Sequence, residues 1–184
     1  EMSRGRATAL CASLLIAVWV CAQPRASEGV FATFPKPSPT KDLLFYIQRN
    51  KNANTIVYEA RMDASGRLSA KDPVRVNWIR HTKGGVREEI SMLEATVAYG
   101  VKHRGTEGGV ARMNFVASDR YPFTVLIDDQ GQAEARITLN GRPARLHHVE
   151  INAEEGAFWP KVTHIDIHGT DMTTGRPVVE RYIP

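Results

Sequence analysis

The strictest constraint in this chain is a one-for-one alternation of apolar and polar side chains over residues 133–140, AEARITLN. Ala133, Ala135, Ile137 and Leu139 fall at every second position, with Glu134, Arg136, Thr138 and Asn140 between them. A period of two puts the first set on one face of an extended strand and the second on the other; a helix would scatter both sets around its axis. Asn140-Gly141 follows at once, and both positions tolerate positive φ, so the chain turns back into an antiparallel partner, RPARLHHVEINAEE (142–155).

The same texture recurs in LLFYIQR (43–49), TIVYEARM (55–62), VRVNWIRH (74–81), GVARMNFVA (109–117), FTVLIDD (123–129), KVTHIDIHG (161–169) and RPVVERYIP (176–184). In TIVYEARM, Ile56, Tyr58, Ala60 and Met62 share one face, and Thr55, Glu59 and Arg61 share the other. Turn chemistry separates the runs: NKNAN (50–54), DASG (63–66), DDQG (128–131) and TDMTTG (170–175). Only REEISMLEATVAYGVK (87–102) departs from this rhythm, with Ile90, Leu93, Val97 and Val101 at three- and four-residue intervals. Glu88 and Glu89 suit the positive end of a helix dipole and Gly100 suits a stop, which predicts one helix at about 88–100. Eight to nine strands with one helix make an all-β, mainly antiparallel fold, a barrel-like or sandwich sheet. Strands do not alternate with helices, so a doubly wound sheet is excluded.

The N-terminal region follows different rules. Arg4 and Arg6 precede an apolar run from Ala7 to Ala22, roughly sixteen residues and short of the ~20 that span a bilayer. With Val20-Cys21-Ala22 ahead of a cleavage point, residues 1–22 read as a secretory signal peptide, and the expected location is secreted or periplasmic. Cys11 and Cys21 both lie inside this segment, so the exported chain carries no disulfide, no thiolate metal site and no cysteine nucleophile. Residues 23–41 hold four of the ten prolines, at 24, 35, 37 and 39, and read as a Pro-rich flexible tether. Residues 42–184 then form a single antiparallel β domain. The net charge of +4 is spread through strands and turns without a basic block, so no nucleic-acid footprint is present. No transmembrane span remains once the signal is removed.

LLFYIQRNKNANTIVYEARMDASGRLSAKDPVRVNWI (43–79), LEATVAYGVK (93–102) and HGTDMTTGRPVVERYI (168–183) resemble an uncharacterised domain family of secreted bacterial proteins, domain of unknown function 4833. The resemblance covers nearly all of residues 42–184. It implies a periplasmic or surface location and transfers no reaction, ligand or catalytic residue.

Candidate chemistry is sparse. VTHIDIHG (162–169) places His164, Asp166 and His168 on one strand face. With His148, or His147, from the preceding strand they would offer imidazole and carboxylate donors for zinc, and an open fourth position would support hydrolysis. His147 and His148 are adjacent and so point to opposite faces, which lets only one of them join. The ordinary reading is the polar reverse of a strand that buries Thr163, Ile165 and Ile167. No Gly-x-Ser-x-Gly elbow occurs, and Glu88-Glu89 and Glu154-Glu155 flank elements rather than a cleft. Among the aromatics, Tyr58, Trp78, Phe158 and Trp159 are the candidates to contact an apolar ligand. The expectation is a non-catalytic domain without cofactor that binds a small apolar ligand or an envelope component. The alternatives are a metal-dependent hydrolase using the His/Asp cluster, and a structural or protein-interaction module that uses exposed sheet edges or the Phe158-Trp159 loop.

Overall fold

The structure, a computed structural model, describes residues 30–154 and 161–184. The expected signal peptide, the first part of the tether, and Phe158 and Trp159 lie outside the described residues. Eleven strands form one sheet: β1 (Leu43–Arg49), β2 (Asn52–Ala60), β3 (Val74–Arg80), β4 (Val86–Glu89), β5 (Val101–Glu107), β6 (Val110–Phe115), β7 (Ser118–Ile127), β8 (Ala133–Leu139), β9 (Arg142–Glu154), β10 (Lys161–Asp171) and β11 (Pro177–Tyr182). Among the described residues a single α-helix, α1 (Met92–Val97), interrupts them.

Two four-stranded meanders meet on β9. Nine strands run in the continuous order β4-β3-β2-β1-β9-β8-β7-β6-β5, while β10 pairs with β9 off this path and β11 pairs with β10. The thirteen-residue β9 makes this junction possible. Arg142–Arg145 pairs with β8, the stretch from His148 to Ile151 pairs with β1, and β10 follows β9 for nearly its whole length. Among the described residues every strand pairing is antiparallel except β1 with β9. Register shifts in β1, β5, β6, β9 and β10 add local twist, and the sheet curls into a half-barrel. Asn140 and Gly141 both have positive φ, as the hairpin signal requires.

The inner face carries the core. Phe45 stacks on Tyr58 at 4.3 Å and meets Phe115 and Phe123 edge-on. Met113, Val125, Ile137, Leu146 and Ile167 continue it across both meanders. The reverse face of β2 is also buried at Thr55, Val57 and Glu59. There Gln48 Nε2 donates to Pro35 O at 2.9 Å and to Thr55 Oγ1 at 3.0 Å. Phe31 is buried and packs edge-to-face on Phe34. The proline-rich segment is thus tied to the strands through its carbonyls, Pro35 O accepting from Gln48 and Lys41 O from the Ala133 N–H.

The segment expected to be a helix at about 88–100 divides in two. Residues 86–89 pair with β3, so Glu88 and Glu89 belong to a strand and not to a helix N-terminus. The helix begins where local chemistry starts it: Ser91 Oγ accepts from the Glu94 N–H and the Glu94 carboxylate accepts from the Ser91 N–H, a capping box. Met92, Leu93 and Val97 are exposed, so the three- and four-residue spacing does not mark a buried face.

Candidate functional site

Two features stand out, one on each face of the sheet. On the inner face, β9 and β10 present Leu146, Val149, Ile151, Ile165 and Ile167 beside Ile47 of β1, and together these floor a cavity of about 120 Å³. Its remaining walls come from Tyr99, Phe115, Tyr121, Ile137 and Tyr182, among others. Phe115, Ile151, Ile165 and Tyr182 are only partly buried, so the cavity opens to solvent at one side.

Two of the tyrosine hydroxyls are bound to other groups. Arg49 Nη1 donates to Tyr99 Oη at 3.1 Å, and Tyr121 Oη donates to Glu180 at 2.9 Å. Burial, with help from the Glu180 bond, raises the Tyr121 phenol above its ordinary value. The Tyr121 and Tyr182 rings meet edge-on at 5.9 Å, with the Arg120 guanidinium over Tyr182.

Tyr58 and Trp78, the described aromatics expected at a ligand, are core residues that do not line this cavity. They act one layer below. Tyr58 Oη donates to Tyr99 O at 2.7 Å, Trp78 meets the Tyr99 ring edge-on at 5.5 Å, and Trp78 Nε1 donates to Glu94 at 3.2 Å. Both therefore position Tyr99, which does reach the cavity. The floor isoleucines carried a signal in the sequence, since Ile165 and Ile167 alternate with the histidines of β10.

On the outer face, three cross-strand rungs join β9 to β10: His148 with His168, Glu150 with Asp166, and Asn152 with His164. Tyr46 of β1 extends the first rung and Gln48 the second. The Tyr46 and His148 rings stack at 5.1 Å, and His148 stacks on His168 at 4.2 Å with planes 11° apart. Glu150 Oε1 lies 3.5 Å from His148 Nε2, and Glu150 Oε2 lies 3.3 Å from His168 Nε2. The second contact misses hydrogen-bond direction, and His168 Nε2 is buried without a partner. Burial alone would raise the Glu150 carboxyl, but the two rings outweigh it and hold the group down at about 2. Burial pushes His148 below the ordinary imidazole value, with Glu150 opposing.

The expected His164, Asp166 and His168 trio is divided. Asp166 is buried and accepts from Nε and Nη2 of Arg181, at 2.7 Å each. His164 Nε2 is 3.9 Å from Asp166, and its Nδ1 is 3.2 Å from Thr163 Oγ1. His168 instead gathers with His148 and with Glu150, a residue the sequence did not single out. His147 and His148 do not point to opposite faces. Leu146 and Val149 both turn into the core with two residues between them, and the register shift opposite His168 and Gly169 makes His147 the extra residue of a bulge. His147 Nε2 then meets Thr170 Oγ1 at 2.7 Å on the outer side.

No curated protein and no solved structure matches this sequence. Among the described residues, no helix is long and apolar enough to cross a membrane. The family model for a domain of unknown function, DUF4833, matches residues 45–181, from the core aromatic Phe45 to the Arg181 that grips Asp166, and the chain belongs to that family.

Proposed function

We infer that this domain is a non-catalytic binding module that takes a small apolar group into the cavity of its half-barrel. The observation that carries this reading is the cavity wall itself, isoleucine, leucine and valine below with aromatic rings around them. Ligand sites are mostly apolar hollows with a few polar groups at the edge, and the Arg49–Tyr99 and Tyr121–Glu180 bonds supply such an edge. An apolar cavity near 150 Å³ accepts benzene, so this one holds about five carbon atoms, the end of an alkyl chain or a small ring. Chain beyond that length leaves through the open side. The basic start at Arg4 and Arg6 and the apolar run to Ala22 support export, which would place the domain among envelope lipids and their fragments.

Isoleucine methyl NMR tests the assignment of the site. Adding n-hexanol shifts the δ1-methyls of Ile151, Ile165 and Ile167, and leaves those of Ile56 and Ile79 unmoved. Equal shifts across all isoleucines, or none anywhere, refute it.

A further inference from the structure

The outer-face cluster points to a second activity, independent of the cavity. We propose that His148, Glu150 and His168 form a three-ligand site for a divalent transition metal, zinc above all. The donors are of the right kind, two imidazole nitrogens and one carboxylate. All three lie within 4.8 Å of one another. Donors bound 2.0–2.1 Å from a tetrahedral zinc stand about 3.3 Å apart. Each histidine already holds nearly that spacing to Glu150, at 3.5 and 3.3 Å.

The charge pattern of the sheet singles out the same carboxylate. Glu59 is met by Arg75 and Arg87, Glu134 by Arg136 and Arg145, Asp166 by Arg181 and Asp171 by Arg142. Each of these buried acids is neutralised by arginine. Glu150 is nearly as enclosed, yet among the described residues its ion-pair partners are His148 and His168 alone. A metal cation would supply the missing positive charge and would take up the lone pair of His168 Nε2, which is buried without a hydrogen-bond partner.

Pairing gathers the ligands, and a turn of the two stacked rings about their Cβ–Cγ bonds would aim both nitrogens at one ion. His148 and His168 face each other across an in-register rung, Glu150 follows two residues along β9, and Tyr46 backs the His148 ring. Three protein ligands leave the fourth tetrahedral position for water or an anionic group. The set differs from the alternation-based trio: Glu150 replaces Asp166, which Arg181 occupies, and His164 stands two rungs away, opposite Asn152.

The test uses the full chain without a histidine tag, stripped of metal and titrated with zinc against a chromogenic chelator. Wild type takes up about one equivalent, Glu150→Gln and His168→Ala each weaken it by about a hundredfold or more, and His164→Ala binds as wild type does. Cobalt(II) bound to wild type gives the intense visible bands of a four-coordinate site, a readout that stands even if a variant fails to fold. A wild-type chain that ignores zinc and gives only six-coordinate cobalt overturns the proposal. So does zinc affinity unchanged in His168→Ala or lost in folded His164→Ala.

Discussion

Replacing Arg181 by Met keeps much of the side chain's length and removes its charge, which isolates the role of the Asp166 pair. Asp166 has 3% of its side chain exposed and accepts two hydrogen bonds from Arg181 Nε and Nη2 at 2.7 Å. Without them the nearest polar side chain across a 3.9 Å gap is the His164 imidazole, and Glu150 sits directly opposite on β9. Stranding one member of a buried ion pair costs about 3–5 kcal/mol. Arg181 is itself half exposed, so water takes over part of its work and the lower end applies, about 3 kcal/mol. Asp166→Asn removes the charge but keeps one acceptor for Arg181, and costs about 1 kcal/mol. The double variant no longer strands a charge and regains about 2 kcal/mol over Arg181→Met. Urea unfolding at neutral pH reads these values as a midpoint drop of about 1–2 M for Arg181→Met with the slope unchanged. A loss below about 0.5 kcal/mol for Arg181→Met, or a double variant no more stable than that single one, refutes the reasoning.

Two other perturbations test packing and charge. A methyl added at Gly169 would lie 2.5 Å from Arg145 O, part of the strand it pairs with, so Gly169→Ala destabilises by about 1–3 kcal/mol in thermal unfolding. Glu134 is pulled below its ordinary value by Arg136 and Arg145 despite burial, so its stabilising effect is complete above about pH 4.5 and fades as acid takes the pH below that. Glu134→Gln removes that part of the acid limb, and urea midpoints from pH 7 down to 3 show a shallower fall than wild type.

Strand identity was legible wherever one face meets the core and the other meets water. AEARITLN and the Asn140-Gly141 turn are the clearest case, since alternation and turn chemistry agree. The helix expected at about 88–100 is present but shorter, over Met92–Val97: Leu93 and Val97 lie on it, Ile90 and Val101 fall beyond its ends, and Ser91 and Glu94, spaced as a capping box, mark its start. The face of β2 opposite the core is buried because side chains of other strands meet it, Gln48 at Thr55 and Arg75 and Arg87 at Glu59, and alternation within one strand does not report such contacts. Long-range register also hid the outer cluster. Only the bulge at His147 puts both adjacent histidines on one side, and only the pairing of β9 with β10 brings His168 to Glu150. Asp166 looked like a ligand because its arginine lies fifteen residues away on the next strand.

The binding reading is tested most directly by calorimetric titration with n-alkanols from butanol to decanol. Each methylene buried in the cavity contributes about 0.8 kcal/mol, close to a fourfold gain in affinity. Affinity should therefore climb through the shortest members and level off once about five carbons are enclosed, and Ile165→Trp should abolish the climb while the protein stays folded. No binding at any length, or a slope that runs unbroken to decanol and is indifferent to Ile165→Trp, contradicts a ligand cavity in the half-barrel.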